Sequence, residues 1–382
     1  MKPVTSIFDL QAMARRRLPA VIFDFVHGGS YEQVTLQRNL DDVRALTLRQ
    51  HDMRDVSKRN TAVSMVGDKA RIPLALGPTG LAGLTWANGE VEAAKAATAF
   101  GVPYCLSTMS ICSIEDVAQA IQAPFWFQLY LMKSHEVNES LIRRAHEANC
   151  SAMVLTLDLH VQGKRWADAK NGLSVPPKLT LGNTADILGH PGWLVSMAAS
   201  KRRTFGNLEG EVKQAKNVSA LSEWIASQFD PSFDRDTVAW VRKLWKRKLI
   251  LKGIMHVDDA RLAVDLGADA IIVSNHGGRQ LDGAPSSISV LPEIAAAVRD
   301  KIEVYFDGGI RTGFDIVKGI GRGAHACLTG RGALYGLAAK GRWGVDCALK
   351  LFESELNDCM SLTGLTDVRD IPPGVVTAAP PL

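Results

Sequence analysis

The chain has 382 residues, 46% of them hydrophobic and 22% charged, with a formal net charge of +4. That composition reads as a soluble globular protein with a substantial core, at a length that fits one large domain or two to three ordinary ones. The mild positive balance suits an anionic small molecule or an acidic membrane surface and excludes nucleic acid as the expected partner.

The six cysteines lie far apart with no CxxC pair, which argues against a zinc ribbon or a disulfide framework and fits a reducing compartment. No stretch approaches the ~20 consecutive apolar residues of a spanning helix. The opening "MKPVTSIFDLQAMARRRLPA" lacks the apolar core of a signal peptide, so a cytoplasmic location is expected.

Residues 1–71 precede the first strand-like run and are expected to place helices across one end of the fold. Eight short β-rich runs then follow: 72–78, 102–107, 125–130, 152–158, 249–253, 270–275, 303–309 and 326–331. Helix-like segments such as "NGEVEAAKAATAF", "SIEDVAQAI" and "SHEVNESLIRRAHEA" separate them, several opening on a Ser, Asn or Asp suited to capping. The strand runs are continuously apolar, as a sheet buried on both faces requires. Eight strand–helix units predict an α/β fold, a (β/α)8 barrel over about 72–350, treated as one domain with its amino-terminal extension. An open doubly wound sheet is the alternative, weakened because no GxGxxG follows the first strand.

The regularity breaks once, from about 159 to 235, an insertion after strand four long enough to be functional or mobile. Within 190–206, Trp193, Leu194, Val195 and Met197 sit just before Lys201, Arg202 and Arg203. An apolar cluster beside a basic one could rest on an anionic membrane, or could be an ordinary lid with solvated charges. The tail "IPPGVVTAAPPL" is expected to be extended and poorly ordered.

Chemistry in such barrels sits at the carboxyl ends of the strands. Those ends hold Pro78 and Thr79, Ser107, Gln128 and Tyr130, Thr156 and Asp158, and Lys252. Further along they hold Ser274 and His276, Asp307, Gly309 and Arg311, and Gly330 and Arg331. A lone histidine after a strand is usually structural, but His276 shares its rim with Asp158, Lys252, Arg165 and Arg279. "DGGIRTG" (307–313) and "TGRGA" (329–333) are glycine-rich turns with one arginine each. Glycines let backbone N–H groups approach an oxyanion, so these turns point to a phosphorylated cofactor across the barrel mouth.

At these residues the sequence resembles the FMN-dependent α-hydroxy-acid oxidase and dehydrogenase family, which includes glycolate oxidase, L-lactate dehydrogenase and mandelate dehydrogenase. The likeness runs from "LPAVIFDFVHGGSYEQVTLQRN" to "GRGALYGLAAKG", and "SNHGGRQLDG" is its most specific piece. "GPTGLAG", "LST", "FWFQLY", "TLDLHVQGKR", "LKGI" and "DGGIRTG" fall in the expected order. Residues 72–123 and the insertion look most like the lactate and mandelate dehydrogenase branch, whose bacterial members are membrane-associated.

The resemblance implies FMN as cofactor and no metal. It implies His276 as the base, Asp158 as the carboxylate stabilising its charged form, and Arg165 and Arg279 as clamps on the substrate carboxylate. Lys252 would favour the reduced flavin, and Tyr130 would line the substrate pocket. Pro78, Thr79, Ser107, Gln128 and Thr156 would contact the isoalloxazine, with Ser274 also on the cofactor side. Asp307, Gly309, Arg311, Gly330 and Arg331 would hold the ribityl and phosphate groups.

One position departs: Phe25 stands where the family has a tyrosine whose hydroxyl helps hold the carboxylate. Losing that bond weakens binding by roughly 1.5–3 kcal/mol if nothing replaces it. Three readings follow: an L-lactate-type enzyme with weaker binding, a changed substrate, or a pocket for a larger or modified molecule. Met109 and the Leu81–Trp86 segment could widen the pocket in the last case. The leading expectation is oxidation of an (S)-2-hydroxy acid to the 2-oxo acid, with a quinone, a cytochrome-type partner or oxygen as electron acceptor. A peripheral position on the cytoplasmic face of the inner membrane and a homotetramer are expected from family likeness. The rivals are a flavin-binding module without catalysis and a redox-free phosphate-binding isomerase.

Overall fold

The computed structural model describes residues 3–172, 181–202, 204–210, 224, 227, 228 and 231–378. Its centre is a ring of eight parallel strands: β1 (Leu74–Leu76), β2 (Cys105–Ser107), β3 (Trp126–Leu129), β4 (Ala152–Thr156), β5 (Lys248–Ile254), β6 (Ala270–Val273), β7 (Glu303–Asp307) and β8 (Ala326–Thr329). β8 pairs back onto β1, and a parallel bridge from Leu76 to Tyr104 closes the ring beside β2. The predicted barrel is the observed one.

Side chains alternate between two apolar environments, which is why the strand sequences read as unbroken apolar runs. One set (Ala75, Trp126, Ala152, Val154, Ile250, Ala270, Ile272, Tyr305 and Ala326 among them) fills the barrel; the other packs outward under the helices. Large interior residues sit beside small ones across the register: Trp126 opposite Cys105 and Ala152, Tyr305 opposite Ala326. Trp126 and Tyr305 stack with centroids 6.1 Å apart.

Before the barrel come α1 (Ile7–Arg17), α2 (Ala20–His27) and α3 (Val34–Ala45). Between strands lie α4 (Gly89–Phe100), α5 (Ile114–Ile121) and α6 (His135–Glu147), with Ser113 and Ser134 capping the last two as expected. Asn88 precedes α4 but makes no side-chain cap, because it sits at φ +52°. The excursion after β4 carries α7 (Trp166–Lys170), α8 (Leu181–Leu188) and α9 (Pro191–Ala198), and returns through α10 (Arg235–Leu244). Then follow α11 (Val257–Asp265), α12 (Ser287–Val298), α13 (Gly313–Gly321) and the long α14 (Arg331–Leu362), kinked at Lys340 and Gly341.

The amino-terminal extension serves both ends of the barrel, where helices across one end were expected. α2 and the turn after it reach the carboxyl-end rim, whereas the hairpin Val63–Met65/Asp68–Ala70 plugs the amino end. There Asp68 accepts from Trp126 Nε1 and Ser151 Oγ, both at 2.7 Å.

The tail also differs from its expectation. Val376–Ala378 pairs antiparallel with Leu46–Leu48, because Val375 and Val376 bury their side chains, Val376 against Gly321. Residues 379–382 lie outside the described set. In the excursion, the described part is anchored: Ala20 N–H donates to Asp186 (2.7 Å), and Trp193 Nε1 donates to the Leu84 carbonyl (2.7 Å). The expectation of mobility there falls partly on residues outside the described set, as does Arg203 of the basic cluster. Arg202 pairs with Asp116 (2.5 Å) and Glu209 (3.2 Å), leaving Lys201 as the exposed cation of the described pair. Among the described residues no helix is long and apolar enough to cross a membrane.

Candidate active site

The carboxyl ends of the strands open into a cleft lined by residues from α2 and from most of the strand ends, Tyr130, Lys252, His276 and Arg311 among them. His276 stands at its centre because the chain turns sharply after β6: His276, Gly277 and Gly278 take φ of +60°, +64° and +71°. A side chain at Gly278 would strike the backbone of Leu36 at 2.4 Å, so only glycine fits that step. His276 itself is not a glycine, and its left-handed backbone is strain placed at the centre of the cleft.

The imidazole is held from both sides. Nδ1 lies 2.9 Å from Asp158 Oδ1 and Nε2 lies 3.1 Å from the Tyr130 hydroxyl. A carboxylate accepts only, so Nδ1 carries the proton of the neutral ring and Nε2 presents the lone pair. Burial pushes the Asp158 carboxyl up, but the charge and hydrogen bond of His276, then the charge of Lys252, outweigh it and leave it below its ordinary value. Burial and the Asp158 charge hold the Tyr130 phenol well above its usual range, so Tyr130 is a neutral donor.

Two guanidiniums flank the ring of Phe25, Arg279 at 5.2 Å and Arg165 at 5.5 Å from its centroid. Arg279 Nη1 donates to the carbonyls of Phe25 and Gly28, each at 2.8 Å. Burial, then the Arg165 and Arg331 charges, pull Arg279 down to about 9, still charged at neutral pH. Arg165, at the start of α7, is tied to Asp168 at 2.5 Å. The loop carrying Arg165 is strapped to the His276 turn by Gln280, whose Nε2 donates to the carbonyls of Asp158 (2.8 Å) and Val161 (3.0 Å).

Lys252 lies on the cleft floor, 4% exposed, with Nζ 2.9 Å from Ser274 Oγ and 3.4 Å from Asp307 Oδ2. Ser274 Oγ in turn donates to Asp307 at 2.9 Å. Pro78, Thr79, Thr156, Gly309, Arg311, Gly330 and Arg331 all line the same cleft, whereas Ser107 and Gln128 are buried just behind it. Arg331 is placed differently from a simple anion clamp. Its Nε, Nη1 and Nη2 donate to the carbonyls of Val26, Gly277 and Gly28, so it braces α2 against the His276 turn and lends that end charge. Burial lowers it to about 10.

Sequence reasoning missed Thr329 and the α2 carbonyls of Phe25 and Gly28; only the α2 motif "FDFVHGG" hinted at the latter. Thr329 Oγ1, Gln128 Nε2 and Thr156 Oγ1 are buried with no hydrogen-bond partner among the described residues. Such unmet groups in a native fold require an explanation. Beside them, Gly308 and Gly309 take φ of +118° and +95°, and a side chain there would strike Ser287 Oγ and the Asn39 carbonyl at 2.4 Å, so only glycine makes this turn beside the cleft. Unmet polar groups at one end and a glycine turn with Arg311 at the other fit a flat heterocycle carrying a phosphate tail.

A parallel barrel with this cleft fits a phosphate-tailed cofactor at its carboxyl end. Residues 14–378 match the family model described as FMN-dependent dehydrogenase, and the chain belongs to that family, with FMN as its cofactor. It is 41% identical to an L-lactate dehydrogenase of Caulobacter sp. (strain K31) over 369 residues, 96% of this chain and 97% of that one. An L-lactate dehydrogenase of Alcaligenes faecalis is also 41% identical, with the same coverage. Among solved structures, the monotopic membrane protein (S)-mandelate dehydrogenase superimposes with a TM-score of 0.94 at 33% identity, covering 99% of this chain and 100% of that one.

Proposed function

We propose that the protein oxidises an (S)-2-hydroxy acid to the corresponding 2-oxo acid. The observation that carries this reading is the line Tyr130–His276–Asp158 set beside Arg279 in one cleft, with Arg165 on the other side of the Phe25 ring. Arg279, with Nη1 already on backbone carbonyls, offers its remaining N–H groups to the substrate carboxylate beside Arg165. His276 Nε2 takes a proton from the bound acid, and Asp158 stabilises the resulting imidazolium through Nδ1. Tyr130, a neutral donor bonded to the same nitrogen, moves its hydroxyl to the substrate oxygen when the acid enters. Bound FMN supplies the two-electron acceptor. Lys252 gives the cleft floor a buried positive charge that favours the reduced cofactor.

Pro78, Thr79, Ser107, Gln128, Thr156 and Ser274 would hold the isoalloxazine, and Asp307, Gly309, Arg311, Gly330 and Arg331 the ribityl phosphate. A small L-lactate-like acid is the first substrate reading, in line with the relatives' names. Phe25 supports a second: with no hydroxyl between the two guanidiniums, a larger acid with apolar bulk would lose nothing against that ring. Electrons would pass on to a quinone or cytochrome-type acceptor, or to oxygen. Within 190–206, exposed Val195 and exposed Lys201 support peripheral contact with a membrane.

The test is anaerobic bleaching of the bound flavin by L-lactate, glycolate, L-mandelate and longer aliphatic 2-hydroxy acids, each against its mirror image where one exists. Reduction by the (S) and not the (R) forms is expected, and the ranking separates the two substrate readings. Phe25→Tyr should lower the KM for L-lactate about tenfold if the small-acid reading holds. A yellow protein that none of these acids bleaches would mean that Phe25 marks a changed substrate or a lost activity.

A further inference from the structure

At the amino end of the barrel, opposite the hydroxy-acid site, a second, open cleft lies between α12, α13 and the chain at 369–373. Pro292, Ala295 and Ile320 form an apolar wall, and Arg299, Arg322, His325, Arg369 and Glu303 face the same space.

Three of these polar groups have partners. Arg369 pairs with Asp367 through two bonds of 2.5 and 2.8 Å. Glu303 accepts from the Val66 N–H at 3.1 Å and the Tyr305 hydroxyl at 2.5 Å, which ties it into the barrel floor. His325 Nδ1 accepts the Val304 N–H at 2.9 Å, so the proton of the neutral ring sits on Nε2, a free donor. Burial lowers the His325 pKa, with Glu303 and Arg299 acting on it in opposite senses.

Arg322 is different. Its Nε is shielded from solvent and has no hydrogen-bond partner among the described residues. Every other described arginine that is not exposed donates to a carboxylate or a backbone carbonyl. Arg299 and Arg322 are the C-caps of α12 and α13, and the negative end of a helix favours a cation there. That accounts for their charge. It does not account for a guanidinium N–H turned out of water with nothing to accept it, which is costly in a folded protein.

We propose that this cleft binds a small oxyanion, a phosphate or a carboxylate. Its oxygens accept from Arg322 Nε, from the Arg299 guanidinium and from His325 Nε2, and any carbon portion lies on the Pro292–Ile320 wall. The site is remote from the flavin cleft and independent of the hydroxy-acid chemistry.

The test uses the FMN-loaded enzyme, so that its phosphate-tailed cofactor site is filled. Thermal unfolding is followed against increasing inorganic phosphate or butyrate, with chloride holding ionic strength constant. A saturable rise in Tm with at least one of the two is expected, and which one produces it identifies the ligand class. Arg322→Gln should weaken that binding about tenfold or more, and Arg299→Gln by less, with the flavin spectrum unchanged in both. Arg299 is exposed, so its variant keeps the test open if Arg322→Gln fails to fold. The proposal is overturned by an absence of saturable stabilisation, or by undiminished binding in both variants. A change of oligomeric mass in Arg322→Gln would also overturn it, since the missing acceptor would then belong to a second copy of the chain.

Discussion

At the carboxyl end of the barrel Gln128 Nε2, Thr156 Oγ1, Asp158 Oδ2 and Thr329 Oγ1 are buried without partners, and His276 sits in a left-handed backbone. At the amino end the polar groups of the floor are matched: Asp68 with Trp126 and Ser151, Glu303 with Val66 and Tyr305. The same eight strands thus end in an unsatisfied rim and a satisfied floor. A rim of that kind lowers stability unless a ligand completes it, whereas the floor holds the fold. Against that floor the unmatched Arg322 stands out as the one group built like the rim.

Substitutions that separate activity from stability sharpen this contrast. His276→Gln should slow anaerobic flavin reduction by about 10²–10⁴-fold at a cost of only about 1–2 kcal/mol in urea unfolding, the lost imidazole partner of Asp158 being partly replaced by an amide donor. Should the midpoint fall as steeply as the rate, the rim would be structural after all. At the floor, Asp68→Ala removes two hydrogen bonds to a carboxylate. It should cost about 2–3 kcal/mol in urea unfolding with the flavin reduction rate unchanged.

A smaller effect concerns pH. The folded pKa of Asp158 lies below its unfolded value of about 3.9. Its contribution to stability is therefore complete above that value and is lost as the pH falls through the lower folded value. The stability gap between wild type and Asp158→Asn should be constant from neutrality to about pH 4 and shrink below it. A gap that is already lost between pH 7 and 5 would show that Asp158 does not set the linkage.

Much of this molecule was legible in its sequence. The eight continuously apolar runs specified a parallel sheet covered on both faces, and the position of polar residues after each run marked the rim. The rim positions of Lys252, Asp158 and His276 could be read because a strand end is a local feature, set by where an apolar run stops; the clamp role expected of Arg165 and Arg279, which lie farther along their loops, came with the family resemblance. Local sequence does not determine which groups share a hydrogen bond across 100 or more residues, and there the tertiary structure decided. Only the closed ring brings Tyr130 to His276 across 146 positions, and Arg331 to the α2 carbonyls across more than 300. The hairpin in the barrel floor and the pairing of the carboxyl-terminal strand with Leu46–Leu48 were invisible for the same reason: each is a short segment with weak periodicity, stabilised by burial against a distant element.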